Sequence, residues 1–166
     1  LTGVTLATDM TVENGGNLQI LNGLTLSGGK RLIIDSSGSN TYLYVNGTGN
    51  QTITGSGSIE FSGTGVNTRH VSYYSGTPSL VLDTGITVNA NAGGDFWNVT
   101  TALTVNGSFN VNTADVVTMG VSSFNRGGSS AFSVLAGTLR LNGATNDYSG
   151  SWNVASGATL DLDRKS

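Results

Sequence analysis

A chain of 166 residues with 25 glycines, one proline and no cysteine fits one domain. It excludes disulfide staples and thiolate metal sites, and it lacks the proline content and three-residue glycine period of collagen. Hydrophobic content of 37% and charged content of 10% lie below the roughly 45–50% and 25% of ordinary globular chains, yet the regular Val, Ile, Leu and Thr argue against disorder, which goes with high charge and few β-branched residues. The net charge of −3 and the scattering of Lys30-Arg31, Arg69, Arg126, Arg140 and Arg164-Lys165 provide no basic face for a nucleic acid or an anionic membrane. No apolar run approaches the roughly 20 residues of a membrane span. The chain opens on Leu1 without a signal-peptide pattern, which reads as a processed product or an excised segment.

Along the chain one phrase recurs: apolar, any residue, apolar, small polar, small. It begins loosely at Val4-Thr5-Leu6 and is explicit at Leu24-Thr25-Leu26-Ser27-Gly28, Leu43-Tyr44-Val45-Asn46-Gly47 and Ile59-Glu60-Phe61-Ser62-Gly63. It returns at Leu80-Val81-Leu82-Asp83, Leu103-Thr104-Val105-Asn106-Gly107, Leu139-Arg140-Leu141-Asn142-Gly143 and Leu160-Asp161-Leu162-Asp163. The copies start 16 to 23 residues apart, except for one gap of 36 that is about two ordinary ones. A period in this range marks stacked repeat units, and the period-two alternation with β-branched enrichment makes those units strands, not helices.

Between the copies stand further β phrases: Asn17 to Ile20, Arg31 to Ile34, Gln51 to Thr54, Ile86 to Asn89, Phe109 to Asn112 and Trp152 to Ala155. Asn-Gly pairs at 14–15, 22–23, 46–47, 106–107 and 142–143 supply turns that tolerate positive φ. Such pairs also suit antiparallel hairpins in a sandwich or barrel. The long, unequal spacers favour coiling instead, in which each strand pairs in parallel with its equivalent one turn later.

The reading is all-β: a parallel β-helix, or β-solenoid, of about eight rungs with roughly 20 residues per rung, formed by residues 1–166 as a single segment of a longer protein or fibre. One or two inward Val, Ile or Leu per strand fill a narrow core when rungs stack 4.7–4.9 Å apart, so low hydrophobicity suffices. Ser27, Asn46, Ser62, Asp83, Asn106, Asn142 and Asp163 are expected to stack at a shared corner, as amide ladders do. Two stretches break the pattern, 64–78 with His70, Arg69 and Tyr73-Tyr74, and 116–130 with Phe124, Arg126 and Gly127-Gly128. These read as irregular inserts, where binding commonly sits, or as widened corners.

The segment from Gly137 to Gly150, Gly-Thr-Leu-Arg-Leu-Asn-Gly-Ala-Thr-Asn-Asp-Tyr-Ser-Gly, continued by Trp152-Asn153-Val154 and by Gly157-Ala158-Thr159-Leu160-Asp161-Leu162, resembles the autotransporter-associated β-strand repeat. That pattern has a Gly-Thr-Leu-x-Leu opening, an Asn-x-Tyr-Ser/Thr-Gly middle and a Gly-x-Leu-x-Leu close. The match covers residues 137–162, with one residue added between Gly143 and Asn146. The resemblance implies a passenger-type β-helix of a bacterial secreted or cell-surface protein, and it carries no catalytic residues to transfer.

Candidate chemistry is sparse. A calcium-binding β-roll needs repeated Gly-Gly-x-Gly-x-Asp, of which Gly93-Gly94-Asp95 is a lone fragment. Polysaccharide lyases and hydrolases need clustered carboxylates, and only Asp161 and Asp163 stand two apart. A Ser-His-Asp site would have to use His70, the one histidine. Threonine is frequent, but regular ranks suited to ice binding are not evident. Aromatic residues could stack on sugars: Tyr42 with Tyr44, Tyr148 with Trp152, and, as the candidate binding residues, Tyr73, Tyr74 and Trp97. Phe96 and Trp152 are expected to close the core.

The expectation is therefore a non-catalytic structural or adhesive solenoid, extracellular or on a bacterial cell surface, serving as a stalk or an end-to-end stacking fibre unit. It needs no cofactor or metal, and its expected partners are its own copies and a glycan or host surface ligand. A carbohydrate-binding module and a polysaccharide-degrading β-helix enzyme stay open as alternatives.

Overall fold

The computed structural model describes residues 1–97 and 102–162. All secondary structure among them is strand, and the strands join one sheet whose pairs are all parallel, wound as a β-solenoid of about seven turns with equivalent residues ~23 apart. Each full turn has three straight runs, designated faces A, B and C. Strands β1 (Thr2–Leu6) and β2 (Met10–Val12) open the coil on faces B and C. β3 (Asn17–Asp35) and β4 (Thr41–Ser62) each run round all three faces. β5 (Arg69–Ser72), β6 (Gly76–Leu82) and β7 (Ile86–Ala90) form the next turn, and β8 (Gly94–Trp97) and β9 (Leu103–Val105) begin another. β10 (Ser108–Gly120), β11 (Ser123–Arg126), β12 (Ala131–Leu141), β13 (Thr145–Asn146), β14 (Trp152–Val154) and β15 (Thr159–Leu162) complete the stack.

The alternation read from the sequence becomes continuous inward columns. Face A stacks Leu18, Leu43, Val71, Phe96, Met119, Leu141 and Leu162 in register. Face B stacks Val4, Leu24, Ile53, Leu82 and Val105. Face C stacks Met10, Leu32, Ile59, Val88, Phe109, Phe132 and Trp152. From the middle onward the filling is aromatic: Phe61 packs on Phe96 at 5.6 Å, Phe96 on Phe109 at 5.5 Å, Phe109 on Phe132 at 5.7 Å and Phe132 on Trp152 at 4.8 Å. Such pairs add to the area they bury. Phe96 is fully buried and Trp152 half-buried against the core.

Corners turn on glycine where the rungs come closest. Gly55 (φ 97°) and Gly76 (φ 84°) lie in the left-handed region, and a Cβ at either would overlap the carbonyl of the turn below, Leu26 and Gly47 respectively. Only a residue without a side chain meets both demands.

The repeat is longer than the phrase spacing suggests, because the phrase marks the end of a straight run on any face. Leu43, Leu139 and Leu160 lie on face A, Leu24, Leu80 and Leu103 on face B and Ile59 on face C, so Leu24 registers with Ile53, not with Leu43. Counting phrases as rungs mixed the faces, giving eight turns of about 20 residues in place of about seven of ~23. The polar slot divides likewise: Asn46 and Asn142 end face A runs, Asp83 and Asn106 face B runs and Ser62 a face C run. Asp163 lies outside the described residues. Side-chain ladders do form, on other partners: Asn110 donates to Asn89 at 3.0 Å, Asn89 to Glu60 at 3.2 Å and Asn46 to Gln19 at 3.1 Å.

The stretches 64–78 and 116–130 hold strands in register with their neighbours, β5 and the start of β6 in the first and the end of β10 with β11 in the second. Each looks irregular because an arginine occupies an inward slot. Arg126 stands opposite Val105, and Arg69 stands opposite Thr41 in the column that continues to Val117, Leu139 and Leu160.

Arg69 is completely buried. Its guanidinium donates to the carbonyls of Ser62 and Gly65 on the incoming corner, of Ser36 one turn below at 2.6 Å and of Gly93 one turn above at 3.0 Å. One side chain thus satisfies corner carbonyls on three successive turns, as the five-donor fork permits. Burial lowers its pKa, opposed by the charges of Asp35 and Asp115. At neighbouring Gly94 a Cβ would meet the Arg69 carbonyl at 2.5 Å and the Phe61 ring at 2.8 Å, so that slot carries no side chain.

Arg69→Met should destabilise the fold by about 3 kcal/mol, since the Gly65 and Gly93 carbonyls lose the guanidinium without gaining water, while those of Ser36 and Ser62 are left with only their backbone donors. Arg140→Met, at a half-exposed surface pair, should cost no more than about 0.5 kcal/mol. Urea unfolding midpoints of the two variants check the contrast.

Candidate binding surface on face A

Because Leu43 points inward, the two-residue strand period sends Tyr42 and Tyr44 outward. Register then assembles an outward column of Asn17, Tyr42, His70, Asp95, Thr118, Arg140 and Asp161. Beside it runs a second, with Gln19, Tyr44 and Ser72.

The aromatic groups interlock. The rings of Tyr42 and Tyr44 stack at 4.9 Å with 7° between their planes, Tyr42 lies over the His70 imidazole at 4.8 Å, and Tyr74 meets Tyr44 edge-on at 5.6 Å. Tyr74 remains 70% exposed at the A–B corner; its backbone N–H, like that of Ser75, donates to Asn46 Oδ1, which fixes the corner. Asn40 donates to the Tyr42 hydroxyl at 3.3 Å. Burial, with smaller contributions from Tyr42 and Tyr74, pushes the Tyr44 phenol above its usual 10.0.

His70 Nδ1 lies 2.9 Å from Asp95 Oδ1, with side chains only 12% and 14% exposed. The arrangement resembles the orienting half of a catalytic triad. However, His70 Nε2, the atom a nucleophile would use, is buried and without a partner. The pair's geometric effect is to hold the imidazole under Tyr42 and to fix the Asp95 carboxylate. Asp95 in turn lines an open depression of about 390 Å³ with Thr118, Gly120 and Asn142; Asn142 Oδ1 is likewise buried and unpartnered.

Of the aromatic candidates read from the sequence, Tyr74 joins the cluster. Tyr73 is half-buried beside it, outside the described ring contacts. Trp97 registers with Gly120 on face A, and its side chain lies outside the described part of the structure. Tyr42 and Tyr44, already paired in the sequence reading, meet His70 and Tyr74, residues 28 and 30 positions further on, a relation invisible to local spacing. Asp161 pairs with Arg140 at 2.8 Å, while Asp163 is not among the described residues.

Two other openings are accounted for by their walls. At the B–C corner, a space of about 540 Å³ is floored by Arg126, whose guanidinium lies 4.8 Å from the Phe132 ring centre and 4.6 Å from that of Trp152 and donates to the carbonyls of Ser130, Ser149 and Ser151. On face B a shallow groove of about 500 Å³ runs past Thr25, Thr52 and Thr54; the threonine rank of Thr5, Thr25 and Thr54 ends at Asp83, which accepts from Thr54 at 2.8 Å. Among the described residues no group of three or more His, Cys, Asp or Glu could hold a metal ion, and no helix is long and apolar enough to cross a membrane.

No protein family, curated protein or solved structure matches this chain.

The raised pKa of Tyr44 sets a pH dependence. A phenol that binds its proton more tightly folded than unfolded leaves stability intact below the unfolded value, near 10.0, and erodes it as pH climbs from there through the folded value. In an alkaline titration followed by tyrosinate absorbance, Tyr44 should ionise above the usual range. Tyr74→Ala, which opens its edge to water, should bring that step back toward 10.0.

Proposed function

We propose that this chain is a non-catalytic structural and adhesive β-solenoid of a bacterial secreted or cell-surface protein, acting as a stalk or as an end-to-end stacking unit. The observation that carries the reading is one parallel ladder in register from turn to turn among the described residues, running from β1 and β2 on β3 to β15 on β12. A ladder of this kind extends by adding strands in register at its edges. Half-buried Val4 and Met10 and exposed Leu1 and Leu21 add apolar surface at the first end, and a further rung, of this chain or another copy, would cover it. The location is supported by the resemblance over residues 137–162 to the autotransporter-associated repeat, a segment that makes one full turn from face A back to face A, with Leu139 registered on Leu160. The absence of catalysis is supported by the burial of His70 Nε2.

Sedimentation velocity over a concentration series, with electron microscopy of the same samples, tests the stacking unit. Particles should lengthen along one axis with concentration, and the Val4→Lys, Met10→Lys double variant should abolish growth. A wild-type chain that stays monomeric throughout would remove the stacking role. Turnover of any polysaccharide by the wild-type chain would overturn the non-catalytic reading.

A further inference from the structure

The aromatic cluster on face A is not required by the fold. Inward packing at that level is supplied by Leu43, Val45 and Val71, all fully buried, whereas Tyr42, Tyr44 and Tyr74 stand on the outer side. The corresponding outward positions on face C are Glu60, Asn89, Asn110, Ser133 and Asn153, and those on face B include Thr52, Val81, Thr104 and Asn125. Rings are therefore concentrated on one face and one level, with Tyr74 left 70% exposed.

The groups that continue the face toward its later turns are hydrogen-bonding ones. Asp95, Thr118 and Asn142 border the 390 Å³ depression, and His70 at 2.9 Å holds Asp95 in place. The charge pattern narrows the occupant. From Asn17 to Thr118 the outward column carries no lysine or arginine, and Arg140 beyond it is engaged by Asp161. The column thus presents no free cation to a polyanion. The ring faces and edges suit apolar C–H surface, while a carboxylate, a hydroxyl and an amide suit a rim of hydroxyl groups. A few placed polar groups beside aromatic walls are the usual composition of a small-ligand site, and rings with polar tips serve mixed surfaces.

We infer that face A binds an uncharged saccharide chain laid along the coil axis, one sugar stacked at Tyr74 and Tyr44 and further hydroxyls bonded to Asp95, Thr118 and Asn142. Tyr44 and Asn142 lie four turns apart, roughly 19 Å at the spacing of paired strands, which admits more than one sugar ring. The inference deepens the adhesive half of the proposal above and rests on it. Its assay reads binding whether the chain is monomeric or stacked, so failure here leaves the stacking test untouched.

The experiment is titration calorimetry of the whole chain with cello-, xylo-, manno- and chito-oligosaccharides at millimolar concentration, with a sulfated and a uronic oligosaccharide as charged comparisons. At least one uncharged series should bind, and should bind more tightly as the oligomer lengthens. Tyr74→Ala and Thr118→Ala should each weaken it at least about tenfold, a loss of about 1.4 kcal/mol, with the urea midpoint unchanged in Thr118→Ala and only slightly lowered in Tyr74→Ala, which loses its edge contact with Tyr44; Ser133→Ala on face C should have no effect. The inference is overturned if no uncharged oligosaccharide binds, if only the charged ones do, or if binding survives both face A substitutions.

Discussion

Everything in this molecule depends on the backbone ladder between successive turns. Parallel pairing in register places each residue about 4.8 Å from its equivalent one turn away, so a single choice of residue is repeated as a column along the rod. Inward columns of Leu, Ile, Val and Phe then exclude water from a core narrow enough that one or two apolar residues per run fill it. This is why a chain with 37% hydrophobic residues buries a continuous interior.

The ladder also creates a problem at the corners, where backbone carbonyls leave the straight runs and are sealed beneath the next turn. Buried carbonyls without donors are costly. Arg69 answers this at the C–A corner by serving Ser36, Ser62, Gly65 and Gly93 together. Arg126 links turns at the more open B–C corner, donating to the carbonyl of Ser130 and to those of exposed Ser149 and Ser151 while lying against Phe132 and Trp152. Both are charged residues inside a hydrophobic column, and both exchange an apolar contact for a set of hydrogen bonds that joins separate turns. Face A has the contrary character: its tyrosines lie outside the ladder, and Tyr74 among them is 70% exposed.

The class of fold was legible because alternation and phrase repetition are local signals that the ladder preserves. The period was less so, since Leu24, Leu43 and Ile59 carry the same phrase on three different faces and nothing in the phrase says which corner it precedes. Arg69 and Arg126 hid regular rungs, because an arginine breaks the apolar alternation on which a strand is recognised. Of the candidate site, Tyr74 was visible as an aromatic residue in a polar stretch. Its meeting with Tyr44, and that of Tyr42 with His70 and of His70 with Asp95, depend on register between turns, which corner lengths set and local spacing does not encode.

The register itself is the claim most open to direct measurement, and the absence of native cysteine makes the measurement clean. Asn110 registers with Asn89 below and Ser133 above on the outer side of face C. An Asn89→Cys, Asn110→Cys chain should form an intramolecular disulfide rapidly under mild oxidation, because adjacent rungs place the Cα atoms within the roughly 4.4–6.8 Å that a disulfide spans. An Asn89→Cys, Ser133→Cys chain, two rungs apart at about 9.6 Å, should not. Ready closure of the second pair together with failure of the first would contradict the parallel, in-register coil.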